Sequence, residues 1–213
     1  MALPRWSIGV RRAGAWLILA GIAALVSYTV WVALSAAYDP GDLPEALAIK
    51  LELLPVIFPL HMVTGALALP LVPLAFALRR RPHWHRLAGR VAAVDVTIAG
   101  LTAFPVAWVV PVTFGSAAGF SAQALTWLAL LATGVRAIRR RDVAAHRRAM
   151  LLMAATMSGA VFFRLYLAMF AASGSYRHYD AFYALDAWIA WLLPLIFAAI
   201  WLKRGGRGAG FAG

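Results

Sequence analysis

The sequence predicts an all-α membrane protein, a bundle of six transmembrane helices. Hydrophobic residues make up 63% of the 213 residues, charged residues make up only 13%, and the mean hydropathy is +0.79. Soluble domains contain roughly 45–50% apolar and about 25% charged residues, so this composition is typical of a chain that lies in lipid. The absence of cysteine excludes disulfides, thioether-attached haem and cysteine-ligated iron–sulfur clusters.

Six apolar runs supply the predicted crossings, since each crossing needs about 20 residues. They cover residues 13–37, 55–78, 82–114, 120–138, 142–172 and 183–202, with outer turns at 115–119 and 174–180. The first run is too long for the apolar region of a signal peptide, which favours an uncleaved anchor. Pro82 is expected at the first position of its helix and Asp142 at an N-cap. We expect one domain over residues 1–204 and a flexible glycine-rich tail over residues 205–213.

The positions of the basic residues predict the orientation. The net charge is +12, but Lys and Arg crowd into the amino-terminal head, two inner loops and the tail. The predicted outer loops carry only Lys50 and Arg177. This bias places both termini in the cytoplasm, with lipid rather than nucleic acid as the partner.

Two similar stretches about sixty residues apart indicate a duplicated helical hairpin. Residues 79–90 read RRRPHWHRLAGR and residues 139–150 read RRRDVAAHRRAM. In each stretch a triple arginine precedes a His-Arg pair that opens an apolar helix. Spans two and three would then be equivalent to spans four and five, related by a pseudo-twofold axis along the membrane normal.

The duplication places His85 and His146 at one depth on two helices that run in the same direction. Two imidazoles that face each other across such an axis are what a bis-histidine haem b requires. Arginines next to the histidines would hold the haem propionates; these are Arg86, Arg90, Arg147 and Arg148. The alternative is that insertion alone demands these basic residues at the cytoplasmic helix ends.

Glycines follow two of the histidines by one helical turn. Gly65 follows His61, Gly89 follows His85, and Met150 occupies the matching place after His146. A glycine there lets a flat macrocycle come close, and a methionine can pack on a ring. The same spacing is also compatible with simple close packing of helices.

Three polar residues deep in the spans predict a second site on the outer side. His61, Arg164 and Asp186 should lie in the outer half, where Arg164 and Asp186 can form a charge pair. The pair is either a structural bridge or part of a pocket for a quinone head group, with Tyr166 or Tyr183 assisting. Asp95 either orients an imidazole or pairs with an inner arginine.

The histidine motifs resemble an uncharacterised family of predicted bacterial membrane proteins, domain-of-unknown-function family 2306. The matching stretches are His61-x-x-x-Gly65-x-Leu67-Ala68-Leu69, His85-Arg86-x-x-Gly89-Arg90-Val91, His146-Arg147-Arg148-x-Met150 and Arg164-Leu165, within about residues 55–170. The resemblance implies a topology and a motif set, not a reaction.

The layout more distantly resembles the two-haem cytochrome b and ferric reductase-like superfamily. There, helices two and four ligate one haem and helices three and five the other, so the resemblance assigns His85 and His146 to the second haem. Span four has no histidine opposite His61, which departs from the pattern and puts transfer through two haems in doubt.

The sequence therefore favours a haem b-type electron-transfer protein, with His85 and His146 as iron ligands and a quinone as the second cofactor. Two rivals remain open. One is an accessory or assembly subunit of a larger membrane complex that holds lipid through its arginine-rich loops. The other is a small transporter with His61, Arg164 and Asp186 along its path. No phosphate loop or His-Glu-x-x-His motif supports a hydrolase.

Overall fold

A computed structural model describes residues 20–21, 23–35, 41, 43, 45–174 and 176–208, and these residues contain helices and no strand. The α-helices are α1 (Ala23–Ser35), α2 (Glu45–Leu53), α3 (Ile57–Ala77), α4 (Pro82–Trp108), α5 (Phe114–Arg139), α6 (Val143–Met157), α7 (Gly159–Ala172) and α8 (Tyr179–Gly208). Two 3-10 turns, Leu78–Arg80 and Tyr176–His178, precede α4 and α8. The all-helical prediction is confirmed for this part of the chain.

Five helical segments are long and apolar enough to cross a membrane: Ile57–Arg80, Pro82–Trp108, Phe114–Arg139, Val143–Ala172 and Tyr176–Arg204. The predicted first crossing, 13–37, lies partly outside the described residues. Its described part, α1, is shorter than a full crossing. The sixth crossing therefore stays a prediction. The predicted tail begins inside α8, and residues 209–213 lie outside the described residues.

Two helix starts follow from local chemistry as predicted. Pro82 is the first residue of α4, where its missing N–H removes no helical hydrogen bond. Asp142 precedes α6, and its Oδ1 accepts a hydrogen bond from the Ala145 N–H at 2.8 Å. This cap fixes the first turn of α6, which carries His146.

The outer turn predicted at 115–119 is wrong, because those residues belong to α5. Thr113 and Ser116 form a capping box, in which each side chain accepts a hydrogen bond from the other residue's backbone N–H. The chain reverses earlier, after Trp108, and Val110 has a φ of 46° there. The third crossing thus ends at Trp108 rather than at residue 114.

The crossing predicted over 142–172 is divided into two helices. α6 ends at Met157 and α7 begins at Gly159, with Ser158 between them. The Ser158 hydroxyl donates to the Ala155 carbonyl at 2.6 Å, a backbone contact that competes with regular helical bonding.

Helices α3–α4 and α5–α6 form two antiparallel hairpins, α4 packs on α5, and α8 packs on α5, α6 and α7. The buried core between the hairpins contains Ala68, Leu69, Val72, Ala92, Val96, Leu131, Met153 and Met157. Glycines permit the closest helix contacts: a Cβ at Gly119 would lie 2.8 Å from the Ala187 carbonyl oxygen. One end of the bundle carries Arg79–Arg81 and Arg139–Arg141; we call it the Arg-rich end. The opposite end, where α2 packs, is the Lys50 end.

Candidate functional site

The structure brings His85 and His146 together at the Arg-rich end. Their ring centroids are 6.5 Å apart and their planes lie at 79° to each other. Each histidine is in the first turn of its helix, and the two helices belong to different hairpins. The two side chains therefore meet across the inside of the four-helix arrangement formed by α3 to α6.

Both imidazoles are held by the same kind of hydrogen bond. His85 Nδ1 lies 2.8 Å from the Ala75 carbonyl oxygen, and His146 Nδ1 lies 2.9 Å from the Gly134 carbonyl oxygen. A carbonyl only accepts, so each Nδ1 carries the hydrogen and donates it. In a neutral imidazole the lone pair then resides on Nε2, the atom that a metal would bind.

The separation of the two rings fits one shared metal. Two nitrogens bound on opposite sides of one metal ion lie about 4 Å apart, because each bond is about 2 Å long. The ring radius adds about 1 Å on each side, giving centroids about 6 Å apart. The observed 6.5 Å is close to that value.

A bare metal ion lacks further ligands at this place. Among the described residues, no group of three or more His, Cys, Asp or Glu side chains is arranged to hold a metal ion. Structural zinc sites use four protein ligands and catalytic ones three. A haem supplies four nitrogens itself and needs one or two protein ligands, so the histidine pair suits a haem better than a free ion.

The two glycines that follow histidines face open space. A Cβ built at Gly65 or at Gly89 would meet no atom within 4 Å. Close helix packing is therefore not the reason for a glycine at either position. A Cβ at Gly134 would instead collide with Met150 Cε, so Met150 packs against the helix whose carbonyl holds His146.

The neighbouring basic residues lie exposed at the Arg-rich end. They include the four arginines that closely follow the two histidines in the sequence: Arg86, Arg90, Arg147 and Arg148. His83 is also exposed, and its ring meets the edge of Trp84 rather than the pair. The arginines are thus accessible to an anionic group at the Arg-rich end.

A cavity of about 830 Å³ lies toward the Lys50 end. Its wall is mostly apolar and includes His61, Arg164 and Tyr183, three of the residues that the sequence predicted for an outer site, together with Gly65, the glycine that follows His61. Small-molecule sites typically have volumes of about 300–1,000 Å³ and mostly apolar walls with a few polar groups.

His61 is fixed in the cavity wall by α4. Its Nδ1 lies 3.1 Å from the Ala99 carbonyl oxygen and 3.2 Å from Thr102 Oγ1. The Thr102 hydroxyl itself lies 2.7 Å from the Ile98 carbonyl oxygen, to which it donates. Both groups therefore accept the Nδ1 hydrogen, and His61 Nε2 keeps its lone pair.

The predicted charge pair between Arg164 and Asp186 is absent. Asp186 is fully buried, and both of its carboxylate oxygens lack a hydrogen-bond partner within the described chain. Arg164 donates from Nη1 to the Ala160 carbonyl oxygen at 2.7 Å. The sequence placed the two side chains at compatible depths, but depth does not fix the direction around the helix axis. Asp186 is not part of the cavity wall.

Two further expectations are corrected. Tyr166 packs on Phe162 and lines a separate groove with Pro194 and Phe197, so Tyr183 is the tyrosine of the cavity. Asp95 neither orients an imidazole nor pairs with an arginine, because His85 and His146 both donate Nδ1–H to carbonyls and Asp95 Oδ2 has no partner.

The cavity wall also contains residues with polar groups that the sequence did not predict for a site. Lys50 donates from Nζ to the Val106 carbonyl at 2.9 Å and to the Val109 carbonyl, at the carboxyl end of α4. Burial lowers the pKa of the Lys50 ammonium. Gln123 and Trp127 enter from α5. The only sequence signal for Gln123 is a polar amide inside an apolar run.

A family model described as "Predicted membrane protein (DUF2306)" matches residues 58–202, which is more than half of the chain. No curated protein and no solved structure matches. The matched region contains both hairpins, the histidine pair and most of the cavity wall. The distant likeness to the cytochrome b superfamily stays a prediction.

Proposed function

The chain belongs to the DUF2306 family of predicted membrane proteins, and we propose, from the geometry of its histidine pair, that it is a membrane haem b-type electron-transfer protein. The observation that carries the proposal is the histidine pair, with ring centroids 6.5 Å apart and both Nδ1 atoms bound to backbone carbonyls. A haem held by this pair would supply one-electron chemistry.

Each residue of the pair has a defined task. His85 and His146 would hold the iron of a haem through Nε2, and the hydrogen bonds of Nδ1 to the Ala75 and Gly134 carbonyls keep Nε2 free of hydrogen in the neutral rings. Those hydrogen bonds also orient the rings and raise the basicity of the ligating nitrogen. Because each carbonyl comes from the preceding helix, the loading of iron would depend on the packing of both hairpins.

Neighbouring residues suit the rest of a haem. The open space beside Gly89 leaves room for a flat ring one turn below His85. Arg86, Arg90, Arg147 and Arg148 are exposed at the same end and would bind the two propionates by charge-assisted hydrogen bonds. Met150 packs beside the site through Gly134.

The orientation is part of the proposal. The Arg-rich end would face the cytoplasm of a bacterium, both termini would lie on that side, and residues 13–37 would complete six crossings. The like placement of His85 and His146 in the two hairpins supports the duplicated hairpin. Reporter fusions after residue 81, 111, 141 and 208 test the topology, with opposite signals expected for 111 and the other three.

The decisive experiment is an absorption spectrum of the purified protein with reductant and with oxidant. We expect a reducible haem b spectrum with one haem for each chain. His85→Ala and His146→Ala should each lose it, and His83→Ala should keep it, because His83 lies outside the pair.

Two outcomes would contradict the proposal. One is a folded wild-type protein that stays colourless after incubation with haemin. The other is a haem spectrum that survives both alanine substitutions. A colourless protein that co-purifies with other membrane subunits would favour the accessory-subunit interpretation.

A further inference from the structure

We propose that the cavity at the Lys50 end is a binding site for a quinone. The site lies apart from the histidine pair, and the proposal gives the electron-transfer function its membrane-soluble substrate class. Binding as such does not require haem, so it can be tested separately from the proposed function.

The polar groups of the cavity wall define the ligand's head. Arg164 and Lys50 are its only charged residues among the described ones, and no acidic side chain lines it. Arg164 donates one N–H to the Ala160 carbonyl, and Lys50 donates two to carbonyls of α4. Both side chains therefore keep further N–H donors for a ligand. A ligand with acceptor oxygens is therefore favoured over a cation.

His61 adds an acceptor to these donors. Its Nδ1–H is held by Ala99 and Thr102, which leaves the Nε2 lone pair for a hydrogen bond from a hydroxyl. A site that offers donors and one acceptor suits both forms of a quinone: the carbonyls accept from Arg164, and the hydroxyl of the reduced form donates to His61. A fatty acid carboxylate would use the cations but leave the His61 lone pair without a donor.

The apolar wall and the position of the cavity suit such a ligand. The wall includes Phe58, Met62, Leu69, Trp127 and Phe163, so a planar ring and the first part of an apolar tail would be surrounded by apolar groups. Gly65 has no side chain, and a Cβ built there would meet no atom within 4 Å, so this part of the cavity is open to a ligand. Charge is confined to a few positions, which is the usual composition of a small-molecule site.

The cavity also ends close to the histidine pair. Leu69 lines it, and Ala75, which holds His85, is six residues further along α3, or about 9 Å at 1.5 Å per residue. Trp127 lines it, and Gly134, which holds His146, is seven residues further along α5, or about 10 Å. The buried core residues Val72 and Leu131 lie between these positions along α3 and α5.

Calorimetric titration of the purified, detergent-solubilised chain with decylubiquinone tests the proposal. The His85→Ala/His146→Ala double variant is titrated in parallel, so that failure of haem binding does not affect the result. We expect saturable binding with one quinone for each chain in both proteins. Arg164→Gln and His61→Ala should each weaken binding by about tenfold or more, because each removes a hydrogen bond to the head group.

Matched controls separate the cavity from general effects. Arg80→Gln removes an exposed arginine at the opposite end, outside both proposed sites, and should leave quinone affinity unchanged. Gly65→Leu fills the cavity without meeting a protein atom near its Cβ and should abolish binding even if the polar variants fold poorly. Absence of saturable quinone binding, or affinity that is equal in Arg164→Gln, His61→Ala and wild type, would overturn the proposal. So would tighter, Arg164-dependent binding of oleate with no quinone binding.

Discussion

The two ends of the bundle use histidine in the same state but in different surroundings. At the Arg-rich end, His85 and His146 each donate Nδ1–H to a backbone carbonyl and face a second imidazole. At the Lys50 end, His61 also donates Nδ1–H to a carbonyl but faces a cavity of about 830 Å³. The comparison shows that the Nδ1–H hydrogen bond to a carbonyl determines only that Nε2 is the nitrogen with a free lone pair. What that nitrogen meets decides between a metal and an organic ligand.

The charged residues near the histidine pair and those of the cavity also differ in their surroundings. The histidine pair has arginines at the exposed rim, where they can reach anionic groups at the membrane surface. Arg164 is also exposed, but it lines a cavity with a largely apolar wall, and a charge within a span is costly unless a ligand or backbone group satisfies it. The arrangement favours a group with carboxylates at one end and a neutral head group with acceptor oxygens at the other.

The largest expected effect comes from filling each open space in turn. Gly89→Leu should abolish haem binding and keep quinone binding, whereas Gly65→Leu should abolish quinone binding and keep haem. Neither new Cβ meets a protein atom within 4 Å, so both variants should fold. Haem spectra and quinone titration of the two variants give the result, and loss of both ligands in both variants would contradict the separation of the two sites.

The next largest effect is expected at the close contact between α5 and α8, which lies beside the cavity and not beside the histidine pair. In Gly119→Ala the new Cβ would lie 2.8 Å from the Ala187 carbonyl oxygen, a backbone atom that cannot rotate away. We expect a loss of about 1–3 kcal/mol in the free energy of unfolding. Thermal unfolding in detergent measures it, with Gly65→Ala as the control that should gain about 0.5–1 kcal/mol.

A smaller effect is expected from the cap that begins the His146 helix. Asp142→Ala removes the bond to the Ala145 N–H and should cost about 1 kcal/mol of stability. Asp142→Asn keeps a capping oxygen and should lose much less. Thermal unfolding of the two variants distinguishes them, and haem retention after mild heating should fall only in the alanine variant. Equal stability of the two would refute the role of this cap.

The smallest effect is expected at Asp186, which tests the missing charge pair. Neither of its carboxylate oxygens has a partner in the described chain, so Asp186→Asn should leave the unfolding midpoint unchanged or raise it. Breaking a buried ion pair would instead cost about 3–5 kcal/mol. A loss of that size, absent when Arg164→Gln is already present, would show that the two residues are paired.

Local sequence signals indicate where the helices lie better than where they end or which way their side chains point. Pro82 and Asp142 were predicted at helix starts because their effect on the first turn is local. The reversal between α4 and α5 was misplaced because Gly115 and Gly119 suggested a turn, whereas the Thr113–Ser116 capping box begins a helix that uses Gly119 for packing. A glycine can mark a turn or permit close packing within a helix, and the sequence alone does not distinguish the two.

The sequence by itself determined that the chain is apolar enough for lipid, where its basic loops lie, and that His85 and His146 occupy like positions in two similar stretches. These properties follow from composition and spacing, which do not depend on how helices rotate. Only the tertiary structure decided that the two rings meet, that Lys50 joins His61 and Arg164 in one cavity, and that Asp186 stays outside it. Rotation of each helix about its axis is set by contacts with several neighbours at once, and no single stretch of sequence contains that information.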